Sequence, residues 1–428
     1  MRQSSVRKVA ILGGSRIPFC RSNTAYATQS NQAMLTAVFT AVVKKYRLRG
    51  ERLGQVAAGA VLKHSRDFNL CRESVLSSGL APETPANDLQ MACGTGLEST
   101  LLIANKIALG QIEAGIAGGV DTTSDAPIGV SEGLRKILLE ANRGKTPADR
   151  LKAFLKFRPA HLVPLIPGVA EPRTGLSMGE SCELMVKEWK IPREAQDQLA
   201  YESHTKAARA YDEGFFDDLV VPFEGVERDN NLRADTTLEK LATLKPAFDR
   251  KSGHGTLTAG NSTPLTDGAS AVLLASEDWA RAHNQPVLAY LVDGETAAVD
   301  FVGKKEGLLM APAYAVPRLL ARNGLSLQDF DFYEIHEAFA GQVLCTLKAW
   351  ESEQFCKERL GLDKPLGSID RGKLNVKGSS LAVGHPFAAT GGRIVPTLAK
   401  LLHQKGPGRG LISICAAGGQ GVVAILER

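Results

Sequence analysis

Four short turns in this chain set a thiol or an imidazole among glycine and other small residues. They are Met91-Ala92-Cys93-Gly94-Thr95-Gly96, Ile335-His336-Glu337-Ala338-Phe339, Gly384-His385-Pro386-Phe387 and Cys415-Ala416-Ala417-Gly418-Gly419-Gln420-Gly421. Small residues let a second molecule approach the backbone beside the reactive group. A nucleophilic thiol needs a base and an orienting partner, and two cysteines with two histidines supply both. Four such turns spread along one chain predict a single thiol-dependent active site assembled from distant loops.

Cys93 is the expected nucleophile. Gly94, Thr95 and Gly96 open a predicted helix, whose N-terminal dipole is expected to lower the thiol pKa and favour the thiolate. Each reactive residue also has an ordinary reading. A free cysteine is most often buried and inert, a histidine before proline is often a turn residue, and His336 would serve as packing at a strand end.

Positioning these groups takes a large framework, and 428 residues with 44% apolar content provide one. That length predicts two or three domains. Two blocks repeat one pattern. The first runs from Cys93-Gly94-Thr95-Gly96 through an apolar helical stretch to Gly110 and then Ala114–Asp121. The second runs from His385-Pro386 and Thr390-Gly391-Gly392 through a similar helix to Gly406 and then Leu411–Cys415. Short apolar strands feeding helices predict parallel strands covered by helices. The closing strands are expected at Gly268–Ala275 and Gly421–Leu426. Reacting groups should sit at strand C-terminal ends and helix N-termini, where the two halves face each other.

The boundaries expected from this pattern are 1–121 plus 250–279 for the first half and 280–428 for the second. Residues 122–249 form a mainly helical insertion, too long for a plain loop, with an amphipathic helix from Arg193 to Tyr211. Arg7-Lys8-Val9-Ala10-Ile11-Leu12-Gly13-Gly14 reads as a first strand running into a turn. A strand over Val287–Val292 opens the second half.

The formal charge of +5 is unevenly spread: residues 1–50 hold nine Lys and Arg and no acid. That start resembles a transit peptide, but the strand at residues 7–12 favours a mature N-terminus. A basic stretch from Arg135 to Arg158 carries Ile137, Leu138, Leu139, Leu151, Phe154, Leu155 and Phe157 among its charges. Core packing accounts for it as well as contact with a membrane surface or an acidic partner does. Nucleic acid is not expected, since no binding motif is present. Seven cysteines without paired spacing favour a reducing, cytosol-like compartment, and the mature N-terminus makes the cytoplasm the expectation over the mitochondrial matrix. Metal-ligand spacings and membrane-length apolar runs are both missing from the sequence.

The four turns, in this order, resemble the thiolase family, most closely its 3-ketoacyl-CoA thiolase branch, the thiolase (beta) subunits of fatty-acid β-oxidation complexes. The strongest tags are His336-Glu337-Ala338-Phe339-Ala340, Gly384-His385-Pro386-Phe387-Ala388-Ala389-Thr390-Gly391 and Cys415-Ala416-Ala417-Gly418-Gly419. Thr258-Ala259-Gly260-Asn261-Ser262 followed by Asp267-Gly268-Ala269 adds a further one. The resemblance implies an α/β chain with the duplicated five-layer (α-β-α-β-α) thiolase fold and a helical substrate loop domain. His336 stands where shorter-chain biosynthetic thiolases typically carry Asn, which tilts the expectation towards longer acyl chains. Ala388 replaces a usual Gly and is expected to narrow the pocket, and Ala417 stands where many relatives have Gly.

By resemblance, Cys93 is the nucleophile and His385 its base. Cys415 is the second acid/base, suited to this by an ordinary thiol pKa of about 8.5. His336 helps bind the enolate oxygen, and the backbone N–H groups of Cys93 and Ala417 form a second oxyanion hole. Arg233 and the Ser262-Thr263 pair fall near the adenosine and pantetheine of CoA, and Met178 near the acyl pocket. The implied reaction is acyltransfer: 3-ketoacyl-CoA is cleaved with CoA to acetyl-CoA and a shortened acyl-CoA. CoA is a substrate, with neither metal nor redox cofactor. A homodimer or tetramer and a hydratase/dehydrogenase partner subunit are expected. The alternatives are a biosynthetic acetyl-CoA acetyltransferase, a ketoacyl-synthase-like enzyme, against which Cys415 argues, and a catalytically idle acyl-CoA-binding scaffold.

Overall fold

The computed structural model describes residues 6–428, so the first five residues of the acid-free start, and the transit-peptide question with them, lie outside the described residues. The first half contains β1 (Val9–Arg16), β2 (Cys20–Arg21), α1 (Asn31–Lys45), β3 (Gln55–Ala58) and α2 (Leu70–Ser77). It continues with β4 (Ala86–Asp88), α3 (Thr95–Ala108) and β5 (Ala114–Asp121). Five helices follow: α4 (Glu132–Arg143), α5 (Pro147–Phe154), α6 (Met178–Glu188), α7 (Arg193–Asp212) and α8 (Leu238–Ala242). Then come β6 (Thr266–Ser276) and α9 (Glu277–Ala282). The remainder holds β7 (Ala289–Ala298), α10 (Ala311–Asn323), β8 (Phe332–Ile335), α11 (Ala340–Glu351) and α12 (Glu353–Glu358). It closes with α13 (Ser380–Val383), α14 (Thr390–Lys405), β9 (Arg409–Ala416) and β10 (Gln420–Glu427).

The strands join in the order β4-β3-β5-β6-β1-β7-β10-β9-β8, with β2 beside β6. The sheet is mixed rather than parallel. β3 runs parallel to β4 and β5, and β8 to β9. The closing strands β6 and β10 run antiparallel to their neighbours. β10 turns back from β9 through the short Ala417–Gly419 turn, which allows only an antiparallel return. Antiparallel pairing of β1 with β7 joins the two halves.

Three buried apolar layers make the five-layer sandwich. One lies between α1 and α2 and the first-half strands; it includes Leu35, Phe39 and Val75. Another lies where α10 and α11 cover the second-half strands, with Val316, Leu347 and Trp350. The middle layer holds α3 and α14, with Leu97, Ile103, Ile394 and Leu398. From Thr390 to Ala399 every residue of α14 is buried, as expected of a helix enclosed on all sides.

The halves meet where the two central helices start. A Cβ on Gly391 would lie 2.1 Å from the backbone nitrogen of Leu97, and one on Gly96 would lie 2.7 Å from that of Gly392. The repeated Thr-Gly pairs therefore let two helix N-termini touch backbone to backbone.

Two strand boundaries differ from the sequence reading. β1 continues through Gly13 and Gly14 to Arg16, because Gly13 (φ +132°) sits in a bulge in register with β6. A Cβ on Gly14 would press on the Ala271 carbonyl oxygen at 2.3 Å. β7 starts at Ala289 and runs on to Ala298, following β10 over its whole length.

Between residues 122 and 249 the described elements are helices and isolated bridges. α4 and α5 pack together there. Of the large apolar residues in the basic stretch only Ile137 is buried, while Leu138, Leu139, Leu151, Phe154, Leu155 and Phe157 are exposed. Core packing therefore does not account for them.

Candidate active site

Cys93 lies in the turn between β4 and α3. Ala92 before it takes φ +45°, a left-handed conformation that costs a non-glycine residue. Thr95 holds this turn: its Oγ1 accepts from the Met91 N–H (2.9 Å) and donates to the Ala92 carbonyl (2.7 Å). His336 sits one residue beyond β8, and its N–H donates to the Ser413 carbonyl on β9 at 2.8 Å.

Glu337 next to it is buried. It accepts from Ser203 Oγ on α7 (2.7 Å), Asn375 Nδ2 (2.7 Å) and the Leu381 N–H (3.2 Å), which fixes the loop in place.

His385 follows Gly384, whose φ of +100° ends α13. Its N–H donates to Thr266 Oγ1 at 2.8 Å, and Asp121 accepts the Ala388 N–H at 2.9 Å. The Pro386–Ala389 turn lies directly on β5, where a Cβ at Gly119 would fall 2.1 Å from the Ala388 carbonyl oxygen. The Ala388 methyl is fully buried against that strand, so it does not narrow a pocket as the sequence suggested. Cys415 is buried at the end of β9, close enough to feel the charge of Cys93.

These four turns converge. Cys93, His336 and His385 each bring one sulfur or nitrogen within 4.8 Å of the others, and the two imidazole rings lie 4.1 Å apart. Each ring has one nitrogen engaged: His336 Nδ1 with Ser380 Oγ at 2.8 Å, and His385 Nδ1 with Thr390 Oγ1 at 2.5 Å. Both Nε2 atoms are buried without a protein partner. The backbone N–H groups of Ala417 and of Cys93 itself lie against the Cys93 sulfur. Glu171, from the loop preceding α6, accepts the Gly418 N–H at 2.6 Å and so fastens the turn that carries Ala417.

The electrostatics correct two expectations. Burial pushes the Cys93 thiol up to about 12, against the hydrogen bond from Ala417 that favours the thiolate. Desolvation outweighs the helix dipole here, although Cys93 itself is half-buried rather than fully enclosed. Cys415 is likewise raised by burial, well above the ordinary thiol value expected for it. Burial lowers His385 to about 3 and takes His336 well below its usual value, with Arg393 adding to both shifts. In the free enzyme all four side chains are neutral at pH 7.

Arg233, Ser262 and Thr263 line a cavity of about 480 Å³ together with Arg21, His204, Lys240, Phe248 and Leu381. Thr263 Oγ1 donates to the Ala338 carbonyl at 3.0 Å, which joins the cavity wall to the His336 loop. Ser262 Oγ is buried without a partner. Met178 is half-buried at the start of α6, against the apolar cluster that includes Phe339, Leu381 and Cys415.

Sequence reasoning missed Ser380, Thr390, Arg393, Glu171 and His204. Arg393 carried a readable signal as the one charge in the otherwise uncharged run Thr390–Ala399. Glu171 carried none, because its partner lies 247 residues away in the chain.

Comparison with known proteins agrees with this architecture. The thiolase N-terminal domain family matches residues 9–278 and the thiolase C-terminal domain family matches residues 285–428. A 3-ketoacyl-CoA thiolase of Pectobacterium carotovorum is 41% identical over 98% of this chain and 96% of its own. One from Yersinia pestis is 40% identical over 98% of this chain and 97% of its own. The crystal structure of the Bacillus anthracis acetyl-CoA acetyltransferase superposes with a TM-score of 0.81 at 29% identity, covering 99% of both chains. Human mitochondrial 3-ketoacyl-CoA thiolase gives 0.80 at 28% identity over 99% of this chain and 100% of its own. With both domain families matched along nearly the whole length, the chain belongs to the thiolase family.

Proposed function

We propose that this protein is an acetyl-CoA C-acyltransferase that cleaves 3-ketoacyl-CoA with CoA through an acyl-Cys93 intermediate. The observation that carries this reading is the convergence of Cys93, His336 and His385 within 4.8 Å, with both Nε2 atoms unpartnered. His385 takes the thiol proton as the Cys93 sulfur attacks the 3-keto carbon. The keto oxygen gains charge and is held by the N–H groups of Cys93 and Ala417. The C2–C3 bond then breaks, and the electron pair leaves as the enolate of acetyl-CoA. Cys415 protonates that carbon, while His336 and His385 hold the enolate oxygen. CoA thiol next gives its proton to the Cys415 thiolate and attacks the acyl-Cys93 carbonyl, and Cys93 leaves with the proton held by His385 as the shortened acyl-CoA forms.

Neutral resting groups suit this sequence. No thiolate waits exposed to oxidation, and the proton moves only when substrate supplies a site for the new charge. The thioester itself stabilises the carbanion, so the chemistry needs CoA as substrate and no further cofactor.

Arg21, Arg233 and Lys240 make the 480 Å³ cavity positive, which supports it as the site of the CoA phosphates. A related human thiolase has been crystallised with CoA. The helical segment 122–249 is the substrate loop domain in this reading, inserted into a first half of 1–121 plus 250–279 and followed by a second half of 280–428. A homodimer or tetramer, a hydratase/dehydrogenase partner subunit, and peripheral membrane contact through 135–158 complete the proposal. Bacterial relatives support a cytoplasmic setting.

Thiolysis of acetoacetyl-CoA and of 3-ketohexadecanoyl-CoA, followed by acetyl-CoA release, tests the reading. Higher kcat/KM for the longer substrate is expected. A preference for acetoacetyl-CoA would favour the biosynthetic acetyltransferase, and turnover of neither would favour the idle scaffold.

A further inference from the structure

Arg393 lies on α14, 5% exposed, and a guanidinium can only donate hydrogen bonds. One of its nitrogens donates to Ser380 Oγ at 2.9 Å and to Ser379 Oγ at 3.2 Å. Ser380 Oγ also lies 2.8 Å from His336 Nδ1. A hydroxyl has one proton and two lone pairs. Arg393 takes one lone pair, and among the described residues His336 Nδ1 is the only acceptor the Ser380 hydroxyl has, so the pairing that satisfies its proton has Ser380 donating to His336 Nδ1. That nitrogen is then the acceptor, and the proton of the neutral ring sits on Nε2.

We propose that Arg393 and Ser380 are positioning residues that lock His336 in its Nε2–H tautomer, making it a fixed donor to the substrate oxygen and never a base. This rests on the acyltransfer reading above and deepens it. His336 Nε2 is the buried, unpartnered nitrogen of that ring, so the locked proton points at no protein acceptor. It is left for substrate. His385 is held differently. Its Nδ1 partner Thr390 Oγ1 receives no arginine, so that hydroxyl is free to accept the Nδ1 proton and leave Nε2 as the lone-pair base. One ring then donates while the other accepts, and the Cys93 proton has a single destination. The buried cation also opposes protonation of both rings. Glu334, buried with both oxygens unpartnered, is pushed up to about 8 by burial, and Arg393 nearby opposes that shift.

The test is Ser380→Ala, made in the native enzyme and again in a His336→Asn background, with kcat, KM and the ¹⁵N shifts of His336 as readouts. In the native background kcat is expected to fall about 10-fold with KM within about 2-fold, as for a weakened rather than deleted oxyanion donor. The ¹⁵N shifts move from a pure Nε2–H ring to a tautomer mixture. In the Asn background, where no tautomer exists, the same change should alter kcat less than about 2-fold.

Ser380→Thr, which keeps the hydroxyl, should retain the native shifts and near-native kcat, and it serves if the alanine variant does not fold. Equal losses in both backgrounds, or native ¹⁵N shifts in Ser380→Ala, would overturn the proposal. If the native enzyme performs no thiolysis, the acyltransfer reading fails instead, and the shifts still decide the tautomer.

Discussion

Cys93 shows how burial decides the chemistry of a reactive side chain. A thiol at a helix N-terminus reads from sequence as a preformed thiolate, but here burial raises it to about 12. The sign is clear: the thiolate fraction grows with pH until the pKa is passed, so a raised pKa moves that growth to higher pH. Iodoacetamide alkylation of Cys93 in the free enzyme is therefore predicted to keep accelerating past pH 9. A plateau below pH 8 would mean a thiolate at rest. Residue types at the catalytic turns were legible because reactive groups beside glycines are rare. The pKa directions were not, since desolvation comes from elements hundreds of residues away.

At the scale of elements, the site exists because α3 and α14 begin side by side. The repeat of Thr-Gly before two similar helices was readable, and so were β5, β6, β9 and β10. Strand direction was not: an apolar run looks the same whether its neighbour is parallel or antiparallel. The physical reason for the second glycine appears only in the packing, where Gly391 faces the backbone of Leu97. Gly391→Ala is predicted to destabilise the fold by about 3 kcal/mol, the upper range for overpacking a core that cannot yield. A denaturant titration checks this, and an unchanged midpoint would show that the helices part freely. Glu171 adds a link between elements, because it ties the loop before α6 to the turn carrying Ala417. Glu171→Ala is predicted to lower kcat about 10-fold by loosening the turn that presents the Ala417 N–H, and an unaltered kcat would remove the loop from the catalytic account.

The whole molecule adds one surface that its core does not need. Among the described residues no helix is long and apolar enough to cross a membrane. Yet Leu151 and Leu155 are 71% and 82% exposed within the basic stretch 135–158. The sequence left core packing and surface contact open, since amphipathic spacing fits both, and only exposure separates them. Co-sedimentation with vesicles containing anionic lipid is predicted and should weaken with salt and with Leu151→Asp plus Leu155→Asp. Binding unaffected by either would place the contact elsewhere.

All three scales meet in one covalent bond. Intact-protein mass spectrometry after brief exposure to 3-ketohexadecanoyl-CoA tests it most directly, with Cys93→Ser alongside. The account predicts a tetradecanoyl adduct on the native protein that is absent from the variant and is discharged by CoA. Acetyl-CoA release without any adduct, or an adduct that persists in Cys93→Ser, would contradict it.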